Sequence, residues 1–124
     1  MSIKQSMEDK RYYYSAIVRG IYDGDTCTVD IDLGLSTWQH GEKVRLNRID
    51  TPELRGPSRE RGLASLAFLR EKIEGKPIII ETVKDRREKY GRYLAEIWLP
   101  NETGEWENIN DLLVSSGYAV YRSY

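Results

Sequence analysis

Tyr22-Asp23-Gly24-Asp25-Thr26-Cys27-Thr28-Val29-Asp30-Ile31-Asp32-Leu33 is the stretch on which the fold turns. In its second half Cys27, Val29, Ile31 and Leu33 alternate with Thr28, Asp30 and Asp32, the period of two that marks a strand with one wet face. Ahead of it, Asp23-Gly24-Asp25 is an Asp-Gly hairpin signal, and residues 12–22 are rich in β-formers. An antiparallel pair results. Residues 34–42 read as a loop carrying Trp38 and His40, and residues 43–50 as a third strand. That strand stops at Thr51-Pro52, because proline has no amide hydrogen and biases its predecessor towards extended geometry.

Beyond the polar loop 53–61 the period changes. Leu63, Leu66, Ala67, Leu69 and Ile73 fall on one side of a helix over residues 62–74, with Gly75 as its stop. Residues 77–83 and 93–99 read as a fourth and a fifth strand, separated by the charged turn 84–89. A polar loop follows Pro100. Residues 108–116 read as a short helix, N-capped by Asn108 or Asn110 and stopped by Gly117, and the aromatic tail 118–124 as extended chain. The order predicts an α+β, mainly β fold: a five-stranded OB-type Greek-key barrel with two helices.

The bulk numbers agree. The 124 residues suit one domain with a real core: a polar segment at 1–11, then a single domain over 12–124. Apolar residues at 40% and charged residues at 31% are ordinary for a globular chain. A net charge of −1 argues against charge-driven coating of nucleic acid while leaving room for a local basic site beside an acidic one. A single cysteine, Cys27, allows no internal disulfide, and no apolar run reaches the roughly 20 residues of a membrane span. With no secretory h-region in residues 1–11, the expected location is cytoplasmic.

Asp25 sits just past the hairpin turn and Asp50 at a strand end, with Glu53 three residues on, and strand pairing brings the first two together. Carboxylates held close repel unless a cation or a shared proton compensates. All-oxygen donors favour Ca²⁺ or Mg²⁺, and no Cys/His cluster points to zinc. Arg45 and Arg92 present planar forks that match phosphate oxygens. Singly, each feature has a plain structural reading: Asp23 and Asp25 build a turn, and each arginine forms a surface ion pair.

Together they resemble a known pattern. Tyr22-Asp23-Gly24-Asp25-Thr26, the block from Val44-Arg45 to Ile49-Asp50-Thr51-Pro52-Glu53, and Glu88-Lys89-Tyr90-Gly91-Arg92 closely resemble the staphylococcal nuclease (thermonuclease) family in order and spacing. Asn110, Leu113, Val114, Gly117 and Ala119 resemble its closing helix and turn. The likeness covers about residues 12 to 121. It implies an endonuclease, a phosphodiester hydrolase that cuts DNA and RNA at the P–O5′ bond and leaves 3′-phosphate ends.

The resemblance also implies roles. Asp25 and Asp50 would ligate Ca²⁺ directly and Thr51 through its backbone carbonyl. Glu53 would hold or deprotonate the attacking water, Arg45 would bind the scissile phosphate, and Arg92 would support the transition state. Lys89 and Tyr90 would flank a terminal phosphate, while Tyr121 and Tyr124 offer rings for base stacking. His40 matches no catalytic position. Three departures stand out: Glu88 replaces the usual aspartate, the loop after Glu53 is short, and the chain stops before the family's third, C-terminal helix. The alternative is a non-catalytic nucleic-acid- or protein-binding module on the same barrel. Such modules typically lack the acidic or arginine residues at these positions, and here all five are present. Nucleic acid is the expected partner, with no obligate protein partner and no membrane.

Overall fold

In the computed structural model, residues 11–83 and 87–123 are described. The hairpin read from the sequence is there: β1 (Arg11–Asp23) and β2 (Thr26–Asp32) pair antiparallel through the turn at residues 24–25. β3 (Trp38–Leu46) adds to β2, so Trp38 and His40 lie in a strand and not in the expected loop. The third strand is also interrupted. A turn at Asn47-Arg48, with Arg48 at φ 67°, separates β3 from the two-residue β4 (Ile49–Asp50).

β5 (Pro77–Val83) pairs with β1, and β6 (Tyr93–Pro100) with β5. β6 also runs parallel to β3 through Val44–Tyr93, Arg45–Leu94 and Leu46–Ala95. These pairings close the ring β3-β2-β1-β5-β6, the five-stranded barrel predicted. Outside the ring, β7 (Trp106–Asn108) extends β6, and β8 (Val120–Tyr121) pairs with β4. Neither short β7 nor β8 carries a long enough alternation to be read as a strand from sequence. Val18, Val29, Val44, Leu46, Ile80 and Ile97 fill the barrel. Cys27 is buried among them as a small apolar group, its thiol pushed up to about 12 by that burial.

Helix α1 (Arg59–Ile73) starts three residues earlier than predicted and follows a 3₁₀ turn at Gly56–Ser58. Its buried stripe is Gly62, Ser65, Leu69 and Ile73, while Leu63 and Ala67 of the expected stripe are exposed. The displacement has a steric cause. A Cβ on Gly62 would stand 2.4 Å from the carbonyl oxygen of Glu53, so only a glycine lets the helix lie this close to the loop before it.

Helix α2 (Ile109–Ser115) is capped by Asn108, whose side chain accepts from the Asp111 amide at 2.9 Å. Asn110, the other cap candidate, has a different task. Fully buried, it accepts from Ile97 N at 3.0 Å and donates to the carbonyls of Asn47 and Ala95 at 2.9 and 3.0 Å. One side chain thereby fastens α2 and β6 to the turn that delivers Asp50. Among the described residues no helix is long and apolar enough to cross a membrane.

Candidate active site

The β1–β2 turn is built by its own side chain. Asp23 Oδ1 accepts the Asp25 amide at 3.0 Å, and Gly24 keeps an ordinary negative φ. Gly24 is required by contact instead. A Cβ there would meet Ser65 Cβ at 2.7 Å and two side-chain atoms of Thr51 at 3.0 Å. The turn, helix α1 and the segment after β4 therefore touch at one point, with Asp25 beside it.

Asp25 is buried. Its Oδ2 accepts from both the amide and the hydroxyl of Thr51 at 3.0 Å and pairs with Arg45 Nη2 at 3.2 Å. Arg45 faces Thr26 across the β2–β3 ladder and is buried as well. Its Nη1 donates to the carbonyls of Leu46 and Ile49 at 2.8 and 3.0 Å, which fixes the plane of the guanidinium. Nη2 then reaches Asp50 Oδ1 at 3.2 Å. Two carboxylates 25 residues apart in sequence thus converge on one nitrogen. The remaining oxygen of Asp50, Oδ2, accepts from Arg122 Nη1 at 3.1 Å.

A second arginine is tied to the same cluster. Arg92 Nη1 donates to Thr26 Oγ1 at 3.1 Å, and Thr26 Oγ1 donates to Asp25 Oδ1 at 3.3 Å. Glu88 grips Arg92 with both carboxylate oxygens, at 2.9 and 3.1 Å. The guanidinium holds that carboxyl well down, at about 2, against the opposing effect of burial. The guanidinium of Arg92 lies 5.4 Å from the Tyr90 ring, and Lys89 Nζ lies 5.1 Å from the same ring. Glu88, Lys89, Tyr90 and Arg92 therefore form one cationic turn.

Asp25, Arg45, Asp50 and Thr51 are brought together, with Arg92 linked through Thr26. Glu53 is not part of that contact set: its exposed carboxylate pairs with Arg55 Nε at 3.7 Å. Tyr121 joins another network, its hydroxyl donating to Asp111 Oδ1 at 3.0 Å with Arg48 over its ring. Tyr124 lies outside the described residues. His40 pairs with Asp30 and stacks on Trp38. Sequence reasoning passed over Thr26 and Arg122, and gave Asp23 only a turn. Burial, and then the neighbouring Asp25, push the Asp23 carboxyl up to about 6. The two acids flanking one glycine were the available signal for Asp23. No local signal marked Arg122, which reaches Asp50 only because β8 pairs with β4.

Among the described residues no three or more His, Cys, Asp or Glu side chains are gathered to hold a metal by themselves. The donors at hand are two carboxylates and the oxygens of Thr51, a hard set that suits a divalent ion of the Ca²⁺ or Mg²⁺ kind and not a soft one.

Residues 43–124 match the family described as staphylococcal nuclease homologue. The thermonuclease of Staphylococcus intermedius is 33% identical over 71% of this chain and 51% of its own length. An uncharacterised protein of Methanocaldococcus jannaschii is 30% identical over 94% and 63%, and the thermonuclease of Staphylococcus hyicus 28% identical over 84% and 57%. The chain spans between 51% and 63% of the length of these relatives. It belongs to the staphylococcal nuclease family.

Proposed function

We propose that this chain is a Ca²⁺-dependent nuclease that hydrolyses phosphodiester bonds of DNA and RNA, breaking P–O5′ and leaving 3′-phosphate ends. The observation that carries the reading is the convergence of Asp25 and Asp50 on Arg45 Nη2 at 3.2 Å each. The two relatives that bear the name thermonuclease support it.

The donor set fits the ion. Asp25 and Asp50 offer carboxylate oxygens and Thr51 a main-chain carbonyl, the hard donors that such a cation takes. When bound, Ca²⁺ supplies positive charge beside the phosphate and makes a nearby water easier to ionise.

The rest is work for side chains. Arg45, its plane fixed by two carbonyls, turns Nη2 from the two carboxylates to phosphoryl oxygens as charge grows on them. Arg92, oriented by Glu88 and Thr26, is the second guanidinium for that charge. Glu53 takes a proton from water as the water oxygen bonds to phosphorus. The P–O5′ bond breaks, and its electron pair leaves on O5′, which is protonated from solvent. Lys89 and Tyr90 bind a terminal phosphate, and Tyr121 and Tyr124 stack on bases.

The experiment is an incubation of the purified chain with single-stranded DNA, duplex DNA and RNA, with Ca²⁺ or with EDTA. Cleavage to 3′-phosphate ends with Ca²⁺, abolished by EDTA, is expected. Cutting indifferent to chelation would overturn the metal-assisted reading.

A further inference from the structure

A cleft of about 400 Å³ lies between α1 and the segment 117–120, and Asp50 and Thr51 form its edge. That volume is within the roughly 300–1,000 Å³ of small-molecule sites. Pro52, Ala119 and Val120 give it an apolar wall. Arg61, on the α1 side, lines it too. Among the described residues Arg61 makes no ion pair and no side-chain hydrogen bond, so its guanidinium is uncommitted at the rim.

The second cation, Arg122, does not itself line the cleft and meets its edge through Asp50. Its amide donates to the Arg48 carbonyl at 2.7 Å, which fixes the backbone beside β4, and its Nη1 meets Asp50 Oδ2 at 3.1 Å. Asp50 is therefore held on both oxygens by guanidinium groups, by Arg45 on one and Arg122 on the other. Its negative charge is balanced, and Arg61 leaves the rim positive. A positive rim over an apolar wall matches a nucleotide: phosphate outside, base against the wall.

We propose that the cleft between α1 and residues 117–120 binds the nucleotide next to the scissile phosphate, with Arg61 and Arg122 as its phosphate-binding cations. The inference rests on the nuclease reading and adds a subsite to it. The cleft lies at the Asp50 edge of the cluster, so a strand seated there extends past Asp50, and an incoming phosphate draws Arg122 from the carboxylate.

The test is binding of a fluorescein-labelled single-stranded DNA 12-mer, kept intact by EDTA, across a NaCl series. The wild type, Arg61→Ala, Arg61→Glu and Arg122→Ala are compared, each checked for folding by circular dichroism. Losing one phosphate contact lowers the slope of log K against log salt by about 0.7 for a single strand. Each alanine variant should show that drop. Arg61→Glu should bind more weakly than Arg61→Ala, and both losses should be larger for the 12-mer than for a nucleoside 3′,5′-bisphosphate. Folded variants with wild-type slope and affinity would overturn the subsite alone, provided the wild type binds the strand and cuts it with Ca²⁺. A wild type that neither binds nor cuts would defeat the nuclease reading and the subsite with it.

Discussion

Gly24 and Ser65 are in such close contact that a methyl group on Gly24 would stand 2.7 Å from Ser65 Cβ. Ser65 is itself held, its hydroxyl donating to the Tyr118 carbonyl at 2.7 Å. The turn that presents Asp25 is thereby positioned against α1 by the absence of a side chain, and α1 against the 117–120 segment by a small one.

Gly62→Ala tests the same close packing where the neighbour is backbone. In an open helix this change stabilises by about 1 kcal/mol. Here the new Cβ would meet the Glu53 carbonyl oxygen at 2.4 Å, and overpacking costs roughly 1–3 kcal/mol. A net loss is therefore expected, read as a lower urea midpoint. A raised midpoint would show that the helix can give way.

Arg45→Lys keeps the charge and removes the fork. A lysine cannot hold two carbonyls through one nitrogen and two carboxylates through another. Turnover on DNA should fall by about 10²–10³, the scale for losing one fixed donor to a transition-state oxyanion. A fall of less than threefold would remove Arg45 from the chemistry.

The Arg92–Glu88 grip sets an acid dependence. Arg92 holds the folded Glu88 carboxyl at about 2, below its ordinary 4.5. A depressed folded-state value means stability that is fully present above about 4.5 and lost as pH falls towards 2. Glu88→Gln cannot titrate, so its stability should fall less than the wild type's between those limits in chemical-denaturation series. Parallel curves for the two proteins would contradict the pairing.

The barrel was legible because its five long strands carry alternation or β-rich composition. β7 and β8, three and two residues long, carry neither. Residues 34–42 read as a loop from their own sequence, yet pairing with β2 draws Trp38 and His40 into β3. The helical stripe differs for a reason periodicity cannot see: where α1 comes closest to the β1–β2 turn and to the loop before it, it buries Gly62 and Ser65, and Leu63 is exposed. In the candidate site, Asp25, Arg45, Asp50 and Thr51 stand out in the sequence through a motif, and the structure adds that they are in mutual contact. Arg122 and Thr26 became visible only through pairing between distant strands.

The most direct measurement of the central claim is calorimetric titration of Ca²⁺ into the wild type, Asp25→Asn and Asp50→Asn, with thermal unfolding in parallel. One Ca²⁺ should bind the wild type, and at about a hundred times its Kd should add roughly 2.7 kcal/mol of stability. Either substitution should weaken or abolish both effects. Equal Ca²⁺ binding by all three folded proteins, or none by the wild type, would contradict the assignment of these two aspartates to a cation.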